Sequence, residues 1–264
     1  MFRDKMVSGQ VFCRMVRLLA IPIVLFCLKG HAQWLQTGPQ GGIVQSLLVV
    51  DSTVYAVSPD LGILKSVDQG QSWTISFNFY WVESLTQKGD DLYAGGADNI
   101  YKSTDQGNTW TSCLFMWGYG FRSLATNSSA IFAVTGGGIV KSTDDGQTWV
   151  SSDSGLPASD VCSVFTDSIY VFAGTYSSGL YRSVNNGNTW SHVGLSGTTP
   201  LSMKRCSGYL LCGTGSRIFR SADNGLNWTE VLNAGTAIRS IVTDSLDLYA
   251  ASYGQGFYFS GDLG

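Results

Sequence analysis

Short runs of alternating hydrophobic and polar residues recur along the chain, each bounded by Gly, Asp, Asn or Ser. From Val82 to Ser103 the order is VESL, then LYAGG, then NIYKS, and a further run starts at Trp110. Runs of this length and alternation, separated by turn residues, predict antiparallel strands joined in a meander. No segment has a sustained helical period. The pattern therefore predicts an all-β fold of four-stranded sheets, whose strands are named A to D in chain order.

A nine-residue phrase marks each copy of this unit. KSTDQGNTW (Lys102 to Trp110) returns as KSTDDGQTW (Lys141 to Trp149), and the phrase serines are spaced by 37, 39, 41, 38 and 39 residues. That period is typical of the blades of a β-propeller. The defining positions are Ser66, Asp68, Gly70, Trp73; Ser103, Asp105, Gly107, Trp110; Ser142, Asp144, Gly146, Trp149; Ser183, Asn185, Gly187, Trp190; Ser221, Asp223, Gly225, Trp228; and, in a sixth copy cut short, Ser260, Asp262, Gly264.

Six copies predict a closed ring. A four-stranded meander cannot bury both of its faces alone, whereas packing in a circle leaves no terminal repeat exposed. Trp34 precedes the first strand A as each phrase tryptophan precedes the next one, and the sixth copy has no strand D. We therefore expect a six-bladed β-propeller over residues 33–264, closed by the N-terminal strand from Trp34. Such closure hides two strand edges that would otherwise promote aggregation. A serine recurs in every strand A: Ser46, Ser84, Ser123, Ser163, Ser202, Ser240.

Residues 1–32 are expected to be a secretory signal peptide. The 11-residue apolar run LLAIPIVLFCL (Leu18 to Leu28) follows two arginines and precedes small residues that fit cleavage near Ala32. The run is too short to span a hydrocarbon core of about 30 Å, so a membrane helix is the weaker interpretation. We predict a protein that is secreted or periplasmic, without membrane insertion.

Composition excludes several classes of function. Residues 33–264 keep 11 basic and 18 acidic residues, a net charge of −7, with no basic cluster, so nucleic acid is not an expected partner. One histidine, His192, remains there, which excludes a multi-histidine zinc site. A Ser-His-Asp triad would have to use this histidine, which lies in a predicted loop without other distinctive residues. We expect no metal and no cofactor. The cysteines left are Cys113, Cys162, Cys206 and Cys212; a Cys206–Cys212 bridge and free buried thiols are equally open.

The phrase itself favours a structural role over catalysis. Asp can accept hydrogen bonds from backbone amides within a turn, Gly adopts positive φ without strain, and Trp buries a large ring. The fourth copy has Asn185 in place of the aspartate, which a turn tolerates and a catalytic carboxylate would not.

The phrase S-x-D-x-G-x-x-W resembles the Asp-box, or BNR repeat, of the sialidase superfamily. The resemblance covers all of residues 33–264 and implies the propeller fold. Sialidases carry an early Arg-Ile-Pro motif and a substrate-binding arginine triad, but here the first arginine after the signal peptide is Arg122 and RIP is absent. Their catalytic set therefore does not transfer. The repeat is also similar to photosystem II stability/assembly factor-like proteins and to the sortilin family propeller, which implies binding of proteins or peptides without catalysis.

Candidate contact residues lie where the ring has its D–A and B–C loops, on the face opposite the phrase turns. Two D–A loops are rich in aromatic residues, and these either cap the core or form a stacking platform. Charged residues flank the start of strand A. Glu83 and Arg122 either form an ion pair with each other, or Arg122 acts with Arg239 and Arg217 to bind a carboxylate of a ligand. The aromatic candidates are Phe77, Phe79, Tyr80, Trp81, Phe115, Trp117 and Tyr119, and the charged ones are Glu83, Arg122, Asp160, Arg217 and Arg239.

These observations favour an exported, non-enzymatic, monomeric module that binds a protein, peptide or glycan at the channel mouth, or assists assembly. The alternative is a sialidase-like or other glycoside hydrolase with a divergent site, since glycoside hydrolysis needs only two carboxylates or a tyrosine with an acid. A third alternative is a piece of a longer secreted protein. A propeller fold by itself names no ligand.

Overall fold

The structure, a computed structural model, describes residues 44–79, 81–244 and 247–262. The predicted signal peptide (residues 1–32), Trp34, Tyr80 and Gly264 lie outside the described residues, so the closing strand remains a proposal.

The described ranges contain 23 strands in six antiparallel sheets, and no helix, so none of them holds a helix that could cross a membrane. The sheets follow one another along the chain as the blades of a propeller, which confirms the predicted all-β, six-bladed fold. Blade 1 contains β1 (Ser46–Val50), β2 (Thr53–Ser58), β3 (Gly62–Ser66) and β4 (Thr74–Phe77). Blade 2 contains β5 (Ser84–Lys88), β6 (Asp91–Gly95), β7 (Asn99–Ser103) and β8 (Thr111–Phe115). Blade 3 contains β9 (Ser123–Thr126), β10 (Ile131–Thr135), β11 (Gly138–Ser142) and β12 (Val150–Ser151).

Blade 4 contains β13 (Val161–Thr166), β14 (Val171–Thr175), β15 (Leu180–Ser183) and β16 (Ser191–His192). Blade 5 contains β17 (Pro200–Cys206), β18 (Tyr209–Thr214), β19 (Arg217–Ser221) and β20 (Thr229–Asn233). Blade 6, in the described residues, contains β21 (Ile238–Asp244), β22 (Asp247–Ser252) and β23 (Gly256–Ser260). The strands expected at LYAGG and NIYKS are β6 and β7, while the one expected at VESL starts two residues later, at Ser84.

The core lies between consecutive blades. Strands A of neighbouring blades contact one another from β1 to β21 and form the innermost layer. Each phrase tryptophan from the second to the fifth packs into the cluster shared with the preceding blade. Trp190 is buried, and its Nε1 donates to the backbone oxygen of Ser152 at 2.6 Å. Each tryptophan therefore ties its own blade to the one before it.

The phrase forms the C–D turn of each blade, and its polar side chains bond within the turn. In blade 2, Ser103 Oγ accepts from Gly107 N at 2.8 Å and donates to the Asp105 carboxylate at 2.8 Å. The carboxylate also accepts from the side chain and backbone N–H of Thr109, which lowers the pKa of Asp105 to about 2. Gln106 and Gly107 both have positive φ, and this conformation explains why the phrase has Gly at the position of Gly107.

Asn185 reproduces this pattern without a charge. Its Oδ1 accepts from Thr189 N at 2.9 Å and from Ser183 Oγ at 2.9 Å, and its Nδ2 donates to Thr189 Oγ1. The turn therefore needs an oxygen acceptor at this position and not an ionised group.

Two sets of links between blades were not predicted from the sequence. The basic residue before the phrase serine donates to the backbone of the next blade's turn, as Lys102 Nζ does to Asp145 O at 3.1 Å. The strand-A serines bond the next strand A: Ser84 Oγ accepts from Leu124 N at 2.9 Å, and Ser163 Oγ donates to Pro200 O at 2.7 Å. The sequence showed that a serine recurs in every strand A. It did not show that this serine bonds to strand A of the next blade.

The four cysteines of the described ranges form no disulfide. Met203 lies opposite Cys212 and Tyr209 opposite Cys206 in the β17–β18 hairpin, so the two thiols do not face each other. Burial raises the pKa of the Cys113 and Cys162 thiols to about 11. The bridge considered above is therefore not formed.

Candidate binding face

The B–C and D–A loops share one side of the propeller, here called the loop face; the phrase turns form the opposite turn face. Backbone hydrogen bonds join the two kinds of loop. Trp81 N donates to Pro59 O at 2.9 Å, Gly120 N to Ala97 O at 2.8 Å, and Tyr253 N to Ala237 O at 2.8 Å. These contacts fix the loops to one another at the mouth formed by the strands A.

The aromatic candidates divide into a group that packs against the core and a group that is largely exposed. Phe77 is half-buried, stacks on Phe79 with 5.7 Å between ring centroids, and packs edge-on to Tyr101 at 4.7 Å. These two phenylalanines therefore cap the core between blades 1 and 2. Trp81 and Trp117, by contrast, are 65% and 78% exposed.

The loop that carries Trp117 is held by its own blade. Asp98 Oδ1 accepts from Gly118 N at 2.6 Å, and Asp98 O accepts from Met116 N at 2.8 Å. Phe115 is 60% exposed and its ring centroid lies 6.5 Å from that of Trp117. The backbone beneath this exposed pair is therefore fixed, and its rings are presented to solvent rather than folded inward.

Trp81 and Tyr119 are also presented by constrained backbone. Trp81 has φ of +66°, a conformation that is strained for a bulky residue and that clusters at functional sites. Tyr119 O accepts from Gly136 N at 2.7 Å, and a Cβ at Gly137 would come within 3.0 Å of the Tyr119 ring. Among the described residues no ring contact joins Trp81 to the Phe115–Trp117 pair, so the loop face carries two separate aromatic groups.

The charged candidates each have different partners. Arg122 donates to the Tyr176 hydroxyl at 2.6 Å, and Arg217 pairs with Glu230 at 3.2 Å. The Arg239 guanidinium lies 5.8 Å from the Tyr253 ring centroid. A Glu83–Arg122 ion pair is not among those formed by the described residues. The three arginines are thus held by separate groups.

Asp160 serves the B–C loop of its own blade. Although burial acts to raise it, the pKa of Asp160 is lowered because the carboxylate accepts from the Ser178 hydroxyl at 2.8 Å, the Ser177 hydroxyl at 3.1 Å and Ser178 N at 3.2 Å. Within the described ranges, His, Cys, Asp and Glu side chains form no group of three or more that could hold a metal ion.

Comparison with known proteins supports the fold. The sequence model of the DUF6242 beta propeller domain matches residues 77–170. The chain is similar to the extracellular domain of a hybrid two-component system protein from B. thetaiotaomicron, with 17% identity over 86% of this chain and 33% of that one, at a TM-score of 0.74. It therefore spans about a third of that domain.

Two further structures are similar at low identity. The GH74 xyloglucanase from Xanthomonas campestris is 18% identical, over 88% of this chain and 46% of that one, at a TM-score of 0.71. YCF48, solved bound to D1 peptide, is 15% identical, over 86% of this chain and 81% of that one, at a TM-score of 0.65. No curated protein matches the chain. These similarities support a β-propeller fold, which this chain shares with a xyloglucanase, an extracellular domain and a protein solved with a bound peptide.

Proposed function

We propose that the chain is an exported, non-enzymatic binding module that recognises a protein segment at its loop face. The observation that carries this proposal is the 78% exposure of Trp117 on a loop that Asp98 anchors, through its carboxylate to Gly118 N and through its backbone oxygen to Met116 N. An aromatic ring exposed on rigid backbone loses little conformational entropy on binding. Exposed aromatic groups on a monomer typically mark recognition sites.

The other exposed residues of the loop face fit a protein partner. Trp, Tyr and Arg dominate the energetics of protein interfaces, and these are the residue types found here: Trp81, Tyr176, Tyr253, Arg122 and Arg239. YCF48, with a similar fold, is solved with a bound peptide, and the B. thetaiotaomicron relative is an extracellular domain. Both support a role in extracellular or periplasmic binding.

The alternative, a glycoside hydrolase, finds less support on this face. Glycosidases that use two catalytic carboxylates place them about 5 to 9.5 Å apart on either side of the scissile bond. Glu230 is paired with Arg217, and Asp160 is bonded to the B–C loop of blade 4. Among these candidates, Glu83 therefore has no second carboxylate without an ion-pair or hydrogen-bond partner to act with it in hydrolysis.

The binding proposal is tested by selecting peptide ligands for the propeller from a random library. A displayed library of random 12-residue peptides is panned against the protein, and enriched peptides are measured by calorimetry. We expect Trp117→Ala to weaken binding at least tenfold. The matched control is Ile169→Ala, an exposed apolar residue on the turn face, which should leave binding unchanged.

Two outcomes would contradict the proposal. Retention of glycans on an array, with no peptide enriched, would replace the protein segment by a carbohydrate. Turnover of fluorogenic sialosides or glycans that disappears in Glu83→Ala or Arg122→Ala would establish the hydrolase instead.

A further inference from the structure

The loop face of blades 1 and 2 carries negative charge without a balancing cation. Three acidic residues lie there: Asp60 and Asp98 in the B–C loops that follow β2 and β6, and Glu83 directly before β5. The lysines in the described part of these two blades all bond on the turn face: Lys65 to Gln106 O, Lys88 to the Asp145 carboxylate, and Lys102 to Asp145 O. They are therefore directed away from the three carboxylates.

The carboxylates themselves have oxygens available for a ligand. Among the described residues, the side chains of Asp60 and Glu83 form neither an ion pair nor a hydrogen bond. Asp98 uses Oδ1 to accept from Gly118 N, which leaves its second oxygen. Arg122 of the next blade donates to the Tyr176 hydroxyl in blade 4, so its guanidinium is held by another group.

Trp81 lies between the two acidic B–C loops. Its N donates to Pro59 O at 2.9 Å, next to Asp60. A Cβ at Gly96, two residues before Asp98, would lie 3.7 Å from Trp81 O. The indole is 65% exposed, so a large aromatic surface is presented to solvent from a backbone that both loops contact.

The charge of Asp98 also reaches the rings beside this loop. Burial raises the pKa of Tyr101, and the Asp98 carboxylate raises it further. The Tyr101 ring packs edge-on to Phe79, with 5.0 Å between ring centroids, and Phe79 is 37% exposed. Solvated carboxylates alone are ordinary protein surface. Here they coincide with exposed aromatic rings, and a cation is attracted both by carboxylates and by the face of an aromatic ring.

We propose that Asp60, Phe79, Trp81, Glu83 and Asp98, here called the acidic aromatic patch, bind a lysine or arginine side chain of the partner segment. This inference rests on the loop-face function proposed above and specifies the chemistry of the partner. The apolar stem of the basic side chain packs on the indole while its charged end meets the carboxylates. Complementary charge of this kind gives specificity and salt-sensitive association.

Three displayed peptide libraries test the charge preference. All contain random 12-residue peptides, with one central position fixed as Arg, Gln or Glu, and each is panned against the full chain. The Arg library should yield about tenfold more binders than the Glu library, because opposite charges attract and like charges repel across an interface. Asp60→Asn combined with Glu83→Gln should weaken an enriched Arg peptide about three- to tenfold at low salt. The loss should shrink in about 1 M salt, where the Debye length is about 3 Å.

A matched double variant changes the net charge equally on the turn face. Asp51→Asn with Asp90→Asn removes two exposed carboxylates from the A–B turns of the same two blades and should leave the affinity for the Arg peptide unchanged. Trp81→Phe should weaken that peptide about two- to threefold, because a smaller ring attracts the cation less. An unchanged Tm for each variant excludes unfolding as the cause of a loss.

Equal yields from the three libraries, or a preference for Glu, would overturn the inference. So would equal losses in the two double variants, because the attraction would then come from net charge and not from the acidic aromatic patch. Peptides that depend on Trp117 but show no preference for Arg would remove this inference and leave the loop-face function standing. A failure of all three libraries to yield any binder would contradict the loop-face function itself, and this inference with it.

Discussion

The turn face and the loop face differ in what changes from blade to blade. On the turn face, the serine that caps Gly107 in blade 2 has equivalents with the same 2.8 Å hydrogen bond in blades 1, 3, 4 and 5. On the loop face, the first two D–A loops carry exposed aromatic residues, while the later ones carry small and polar residues. Repetition therefore accompanies structural roles in this chain, and departure from repetition accompanies exposed aromatic surface.

The largest effect expected from this difference separates two tryptophans. Trp190→Ala removes a buried ring and its hydrogen bond to Ser152 O, and should lower the free energy of unfolding by about 3 to 5 kcal/mol. Trp117→Ala, on the loop face, should change it by less than about 0.5 kcal/mol. Urea denaturation of the two variants measures both values, and equal losses would remove the distinction between the faces.

A smaller loss is expected at a single turn. Ser103→Ala leaves Gly107 N without its acceptor in a buried site, which should cost about 1 to 3 kcal/mol. The exposed Ser128, on an A–B turn, is the control, and Ser128→Ala should be neutral. If Ser103→Ala were also neutral by urea denaturation, the repeated hydrogen bond would not stabilise the turn.

The turns should also make stability depend on pH below neutrality. The Asp68 carboxylate accepts hydrogen bonds from the Ser72 hydroxyl, the Ser72 backbone N–H and the Ser66 hydroxyl, which lowers the pKa of Asp68 to about 2. Equivalent hydrogen bonds lower the pKa of Asp105, Asp144 and Asp223 to about 2 as well. Because these values lie below the unfolded value of about 3.9, the contribution is complete above about pH 5 and is lost as pH falls toward 2. Thermal denaturation between pH 2 and 7 should show this decline. Asp105→Asn, which copies the native Asn185, should flatten it slightly; an unchanged slope would contradict the assignment.

The smallest effect is expected for the ion pair between β19 and β20. Arg217 and Glu230 are separated by 3.2 Å, and both side chains are more than a third exposed. Such pairs contribute at most about 1 kcal/mol. Glu230→Gln should therefore leave the unfolding midpoint nearly unchanged at 0.15 M salt, and a large loss would show that this pair is structural.

The sequence predicted the parts of the fold that repeat. Six copies of one phrase determined the number of blades, and the alternation of residues around Tyr93 and Tyr101 placed β6 and β7. It could not predict the partners of residues that bond across blades. From the sequence alone, Lys102 is expected to be an ordinary surface lysine. In the structure its Nζ donates to Asp145 O of the next blade at 3.1 Å. The exposed aromatic residues of the loop face were harder to predict. In the sequence, Trp81, Trp117 and the capping residue Phe77 are all aromatic residues of D–A loops, and only the folded backbone decides which of them faces solvent.

The basic residues of strand C give the ring a direction. Lys65, Lys102, Lys141 and Arg182 each donate to the turn of the following blade. A blade synthesised early therefore holds a cation whose acceptor emerges from the ribosome about forty residues later. Assembly in chain order would satisfy these cations one after another, because each new blade brings the acceptor for the cation of the blade before it.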